Sequence, residues 1–423
     1  MRDQAVRLLA HAQAHPEVSV ADLGLSLVTT RSVFDHRAVV VGTGRTELLA
    51  GIEGLTRDGA VTGVVTGHAA VSGKRVFVFP GQGSQWAGMA VELLDSSPVF
   101  AARLREVAGQ VERWVPWHVE DVLRAVEGAA SIERIEVVQP VLFTVHVALA
   151  QLWASHGVEP DAVVGHSQGE IAAACVSGAL TVEDAARLIV LRSQLFAEHL
   201  VGHGAVASIA LPRADVETRI ATHGADLTVA GVNGPAQVTV AGEVEPLEDF
   251  VATLTADGVR ARVIAATVAS HSPQVEPLRE QLTEQLAFLR PRPGRIPLYS
   301  TVTGEKLDGS QLNADYWFDN CRHPVLFEPV VRSLLTDGYR VFVESSAHPV
   351  LTAPISEIAE DTHTDIAVSG SLRRKEGGRE RFLTSLGTLW THGTTVDWTQ
   401  SFTHHPAHTV DLPTYPFQHT RYW

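Results

Sequence analysis

The serine between glycines in GHSQG (165–169) is placed for covalent chemistry, because DAVV (161–164) before it reads as a buried strand and EIAAACVSGAL after it as a helix. A serine on a tight strand-to-helix turn holds its hydroxyl clear of the sheet, and the helix start behind it leaves backbone N–H groups free to stabilise an oxyanion. The chemistry expected is acyl transfer through an ester on Ser167. The pattern alone also fits a serine that caps the next helix, so partners elsewhere in the chain must decide. A base is the first requirement. Of twenty histidines, His271 in TVASHSPQVEP follows a strand end and precedes a proline-containing loop, which would fix its imidazole at the lip of a cleft. His166 would point to the opposite side of the strand from its neighbour and reads as a structural hydrogen-bonding group.

The elements that must position these residues alternate. Apolar strands at 76–79 (VFVF), 162–165 (AVVG), 296–300 (IPLYS) and 340–344 (RVFVE) are separated by helical stretches. That order predicts an α/β fold, an α/β-hydrolase-like unit with a mostly parallel sheet covered on both faces. Between 204 and 266 the rhythm changes to strand, helix, two strands around a turn at Asn233-Gly234-Pro235, helix and strand. This predicts a small ferredoxin-like insertion with an antiparallel sheet, and a deep cleft beside it. The expected organisation is a small α/β unit at 1–72, the large unit at 73–203 and 267–370, the small one at 204–266, and a tail at 371–423. The tail ends in VDLPTYPFQHTRYW, which must lie extended on another surface to bury its rings.

Composition narrows the partners. The 423 residues are 45% hydrophobic and 19% charged, with a net charge of −15, which argues against nucleic acid because neutralising phosphates needs a concentrated excess of Lys and Arg. Cys175 and Cys321 cannot build a disulfide framework, and the N-terminal stretch mixes charge into its apolar positions, so a reducing cytoplasm is expected. No apolar run approaching the ~18 residues of a bilayer span is expected either, nor a membrane partner.

Six motifs in order carry a resemblance: GQGSQW (81–86), VVQP (137–140), GHSQGE (165–170), Arg192 in LIVLRSQ, VASHS (268–272) and YWFDNCRHPVLF (316–327). With them the chain resembles the acyltransferase domain of modular type I polyketide synthases, residues 1–70 resembling the ketosynthase-to-acyltransferase linker and the aromatic tail the linker that follows the domain. The resemblance implies Ser167 as nucleophile, His271 as general base and then acid, and the N–H groups of Gln168 and Gln82 as oxyanion hole. It implies Arg192 as the partner of a free carboxylate on the acyl group, with Gln139 beside it, a role for which the planar guanidinium fork suits better than an ammonium. It puts Asn320 where a main-chain carbonyl orients the histidine. No permanent cofactor or metal is implied: acyl-CoA is the donor and the phosphopantetheine arm of an acyl carrier protein the acceptor, with the ketosynthase of the same chain as neighbour. Arg373-Arg374-Lys375 is a candidate basic run for the acidic carrier. The chain departs from the family in GHGAVASIA (202–210) and FVESSAHP (342–349).

The alternatives are a serine hydrolase, which would need an acid between serine and histidine in chain order, a scaffold that has lost its chemistry, and a freestanding acyltransferase. Two flanking linkers favour a piece of a longer chain over the last. Substrate choice rests on Val268, Ala269 and Ser270 together with Gln168. In the resembled family YASH with GHSQG accompanies methylmalonyl, whereas HAFH accompanies malonyl. Valine in place of tyrosine opens room for a longer branch, so an alkylmalonyl extender unit is expected, ethylmalonyl favoured and methylmalonyl second.

Overall fold

Val76–Phe79 and Ala162–Gly165 are apolar on both faces and wholly buried, so these segments can only be the middle of a covered sheet. The computed structural model describes residues 1–57, 62–264, 268–403 and 406–417. Among them the strands, in chain order, are β1 (His36–Val40), β2 (Val64–His68), β3 (Lys74–Phe79), β4 (Ala162–Gly165), β5 (Ala205–Ile209), β6 (Leu227–Gly234), β7 (Gln237–Gly242), β8 (Ala261–Ile264), β9 (Leu298–Tyr299), β10 (Lys306–Leu307), β11 (Tyr339–Glu344) and β12 (Ala367–Gly370). The chain divides into two compact units, one of Met1–Ser72, Trp153–Val158 and Arg379–Trp423, the other of Gly73–Leu152 and Glu159–Gly378.

The second unit holds the large sheet, in the order β10-β9-β4-β3-β11-β12, parallel throughout except that β10 runs antiparallel to β9. This is the expected mostly parallel α/β sheet. On one face Val76, Val78 and Val164 pack with Phe327, Val330, Val331 and Leu334 of the helix Phe327–Thr336 and with Ile355 and Ile358 of the helix Thr352–Asp361. The strand expected at 296–300 shrinks to Leu298–Tyr299, since Pro297 has no N–H to donate and Ser300 N turns to Glu305 O at 2.8 Å.

Inserted in the same unit is a four-stranded sheet in the order β6-β7-β5-β8, every pair antiparallel. The helices Arg213–His223 and Val244–Ala256 cross one face, where Val216, Leu247, Phe250 and Leu254 bury Ala207, Ile209, Val238 and Val240. The connectivity is ferredoxin-like, as the sequence pattern predicts. Its turn differs from the expectation: Gly234 pairs with Gln237, so Asn233 and Gly234 finish β6 and only two residues, 235 and 236, make the turn. The small sheet is tied to the chain after the helix Ala314–Arg322, where Val232 N donates to Val325 O at 2.8 Å and Val325 N to Ala230 O at 2.9 Å.

One expectation about apolar runs is corrected. The helix Ile135–Ser155 has 21 residues and an 18-residue window of mean hydropathy 1.5, enough to cross a membrane by length and composition. Gln139, His146 and Gln151 interrupt the run to the eye but carry no charge. With 89% of its apolar window buried inside the protein, it is a core helix.

In the first unit β1 and β2 form an antiparallel pair. The aromatic tail runs without regular structure along the helix Val20–Thr30 and the turn after it: His408 N donates to Asp22 Oδ1 at 2.6 Å, Val410 N to Ser26 Oγ at 2.8 Å, and Arg31 Nη2 to Leu412 O at 2.7 Å. Tyr415 lies 5.3 Å from the Phe34 ring, yet Tyr415 and Phe417 stay exposed, so the tail lies extended as expected but does not bury its described rings. Residues 418–423 of this stretch lie outside the described residues.

Candidate active site

The turn after β4 has room for nothing but glycine on either side of Ser167. A Cβ at Gly165 would lie 2.1 Å from the Glu170 Cα, and one at Gly169 would lie 2.1 Å from the Phe79 carbonyl oxygen. Backbone is the obstacle in both cases, so neither clash can be relieved by turning a side chain. Between them Ser167 takes a left-handed φ of 54°, a conformation that costs a non-glycine residue ~1–2 kcal/mol and lifts its hydroxyl out of the strand. The helix Gly169–Ser177 starts directly behind. His166 leaves the elbow on the other side: its Nε2 meets Asn233 Oδ1 of the small sheet at 2.8 Å, the structural bond expected of it.

His271, 104 residues later, comes to 2.7 Å of Ser167 Oγ through Nε2. Its Nδ1 lies 2.9 Å from the His323 carbonyl, and because a carbonyl only accepts, the proton sits on Nδ1 and Nε2 is left to accept the serine proton. Its backbone N donates to Cys321 O at 2.8 Å. Burial, and after it the Arg192 charge, holds the imidazole down at about 3, against the opposing pull of the His323 carbonyl. The expected pH profile follows: kcat/KM for acylation should stay level from about pH 8 to about pH 5. An acid limb near the ordinary imidazole value would contradict this placement of His271.

The carbonyl that orients His271 is therefore that of His323, and the expectation for Asn320 is corrected. Asn320 lies on the helix Ala314–Arg322 and turns its Nδ2 to the Ser167 carbonyl oxygen at 3.3 Å, so it steadies the Ser167 backbone. The main chain that reaches the imidazole comes three residues later, once the helix has ended.

Arg192 is 1% exposed on the helix Val182–His199. Its Nη1 donates to Gln139 Oε1 at 2.7 Å, its Nε lies 3.0 Å from Cys321 Sγ, and its guanidinium carbon stands 4.8 Å from the centre of the Phe196 ring. Gln139 in turn donates from Nε2 to Gln82 Oε1 at 3.3 Å, which joins the arginine to the Gly-rich loop. No carboxylate of the described residues forms an ion pair with Arg192. A buried cation held only by neutral acceptors leaves a substantial part of its lost hydration uncompensated and is poised for an anion.

The Gly-rich loop itself lies on the elbow. A Cβ at Gly81 would be 3.3 Å from His166 O and 3.7 Å from the Ser167 Cβ. The backbone of Gln82 follows directly, and Gln168 begins the elbow helix. The side chain of Gln168 is 5% exposed and neither amide atom has a hydrogen-bond partner among the described residues. Val268 is buried and Ser270 half-buried. Ala269 packs with Val206, Ala230 and Ala241 under the small sheet, and a Cβ at Gly204 would come within 2.5 Å of its own Cβ.

The last residue of GHSQGE, to which the sequence alone gives no role, also belongs to the elbow. Glu170, fully buried in the first turn of the elbow helix, accepts from Tyr316 Oη, from Thr301 Oγ1 at 2.7 Å and from Thr301 N at 3.1 Å. Burial pushes its carboxyl up to about 7. It ties the elbow to the helix that carries Asn320 and Cys321. Arg373, Arg374 and Lys375 are exposed on a short turn, where Arg374 N donates to His348 Nδ1 at 3.1 Å.

The acyl transferase domain family matches residues 76–396, and a CurL-like, PKS C-terminal family matches residues 1–52. Polyketide synthase GfsA of Streptomyces halstedii is 49% identical over the whole chain, which spans 6% of that relative's length. Among solved structures, the acyltransferase domain from module 8 of the salinomycin polyketide synthase is 46% identical, with a TM-score of 0.90 over 94% of both chains. A loading acyltransferase from the avermectin modular polyketide synthase is 48% identical, with a TM-score of 0.72 over 75% of this chain and 99% of that one.

Proposed function

The chain belongs to the acyl transferase domains of modular polyketide synthases, and from that premise we propose that it moves an alkylmalonyl extender unit from coenzyme A, through an ester on Ser167, to the phosphopantetheine thiol of an acyl carrier protein. The observation that carries the reading is the buried, carboxylate-free Arg192 held beside the Ser167–His271 couple. An acyl group with a free carboxylate supplies the missing counter-ion, and that bond orients its thioester over the serine.

The steps balance on these residues. Ser167 Oγ attacks the thioester carbonyl while its proton passes to His271 Nε2, and the tetrahedral oxyanion sits against the N–H groups of Gln168 and Gln82. Collapse breaks the C–S bond and returns the proton from Nε2 to the departing coenzyme A sulfur. The carrier's thiol then gives its proton to Nε2 and attacks the ester, and collapse restores the Ser167 hydroxyl. The substrate carboxylate has a second effect in this scheme. By neutralising Arg192 it removes one of the causes that depress His271, so the base strengthens when an acyl group bearing a carboxylate is bound.

We assign the branch to ethylmalonyl first and methylmalonyl second. Support comes from Val268, smaller than the tyrosine of the YASH pattern, and from the unpartnered amide of Gln168 beside the nucleophile. One methylene in an apolar pocket is worth ~1–3 kcal/mol, so methylmalonyl transfer persists at a lower rate. Competition among malonyl-, methylmalonyl- and ethylmalonyl-CoA tests this: ethylmalonyl should lead, and Val268→Tyr should abolish that lead. Preference for malonyl would overturn it. A second reading, a loading role, is favoured by the identity with the avermectin loading acyltransferase. If the enzyme prefers acyl groups without a carboxylate, that reading prevails.

A further inference from the structure

We propose that the Cys321 thiol is a positioning residue for the carboxylate-binding arginine, setting which edge of the Arg192 guanidinium is offered to the substrate. The inference rests on the reading of Arg192 as carboxylate binder. Its starting point is geometric: Nε lies 3.0 Å from Cys321 Sγ and Nη1 donates to Gln139 Oε1 at 2.7 Å. Of the five N–H donors of a guanidinium, two are thereby occupied. The three that remain are one on Nη1 and two on Nη2, so a carboxylate is met through the Nη atoms and bidentate pairing through Nε is closed to it.

Cys321 is fully buried, as is the guanidinium it faces, so the Nε–H is shielded from bulk water and has the sulfur as its acceptor. With the sulfur removed, the Nε–H would lose its acceptor in the interior, and the fork would be free to turn and recover it elsewhere. The same residue holds the base by a different atom, since Cys321 O accepts from His271 N at 2.8 Å. That bond is main-chain and survives any side-chain substitution at 321. Cys321 thus sits between arginine and histidine, and its thiol acts on one of them only. The acceptor is soft and weak, which keeps the guanidinium oriented while leaving its charge available to an incoming anion.

The test separates orientation of Arg192 from ordinary packing. In the full chain, Cys321→Ala and, to keep the volume filled without an acceptor, Cys321→Val are compared with Cys321→Ser, which retains one. Single-turnover acylation of Ser167 is followed by intact mass with methylmalonyl-CoA and with propionyl-CoA, which differ by the carboxylate alone. Loss of a hydrogen bond to a charged group predicts that Cys321→Ala and Cys321→Val lower the methylmalonyl-to-propionyl rate ratio about tenfold, with the loss in KM more than in kcat, while Cys321→Ser stays within about twofold. Propionyl acylation should change little in all three. A ratio that does not move, or equal losses for both thioesters, would overturn the proposal. Arg192→Ala run in parallel keeps the two failures apart: a collapsed ratio there with an unmoved ratio in Cys321→Ala overturns the thiol's role alone, and an unmoved ratio in Arg192→Ala overturns both.

Discussion

Ser167→Ala should lower acyl transfer from coenzyme A thioesters by at least ~10⁴-fold, the scale seen when the nucleophile of a serine–histidine couple is removed. The loss arises at one atom. Without Oγ the His271 Nε2 that lies 2.7 Å away has no proton to take and no ester can form. The fold should be unaffected, because the strain of φ 54° at position 167 is the same for alanine and the elbow is fixed by its glycines and by Asn320. Far-UV circular dichroism and melting temperature should match the unmodified chain. Covalent acylation that persists in the variant would mean another nucleophile.

The second large effect is expected at Arg192. Arg192→Ala should reduce acylation by alkylmalonyl-CoA about 10²–10³-fold, equivalent to about 3–4 kcal/mol, because the substrate carboxylate would enter a buried site with no cation to meet it. Two features make the effect selective. Propionyl-CoA has no charge to strand, so its acylation should survive. Removing the guanidinium also lifts one of the causes that depress His271, which moves the imidazole up towards its ordinary value. Equal loss for both thioesters would assign Arg192 to packing, and unchanged alkylmalonyl acylation would assign the carboxylate to another group.

Residues that act through their side chains were largely legible in the sequence. Ser167 and His271 stand out by residue type and local setting, a serine on a strand-to-helix turn and a histidine at a strand end before a proline loop, whereas Arg192 and Gln139 were picked out only through the ordered motifs of the family resemblance. The strand-turn-helix around 165–169 was legible for a similar reason, since backbone atoms on both sides leave room only for hydrogen at Gly165 and Gly169. The ferredoxin-like insertion could be read because its antiparallel strands switch the apolar rhythm. Contributions from main chain were hidden. Any residue has a carbonyl, so nothing in the sequence distinguishes His323 O from the carbonyl of Asn320, and only the end of the helix Ala314–Arg322 decides between them. Cys321 and Glu170 were hidden by packing: a thiol in an apolar helix face and a glutamate at a helix start are ordinary until Arg192 and Tyr316 are seen against them. The helix Ile135–Ser155 was misjudged because uncharged polar residues break an apolar run far less in energy than in appearance.

On the proposed function, this site carries an acyl group bearing a carboxylate on one serine and hands it to a carrier thiol. Intact-mass measurement of the full chain after brief incubation with ethylmalonyl-CoA, with peptide mapping and then addition of a phosphopantetheinylated acyl carrier protein, tests it most directly. A single ethylmalonyl adduct is expected on the peptide containing Ser167, disappearing as the same mass appears on the carrier. An adduct released to water with none gained by the carrier, or an adduct on any other residue, would contradict it.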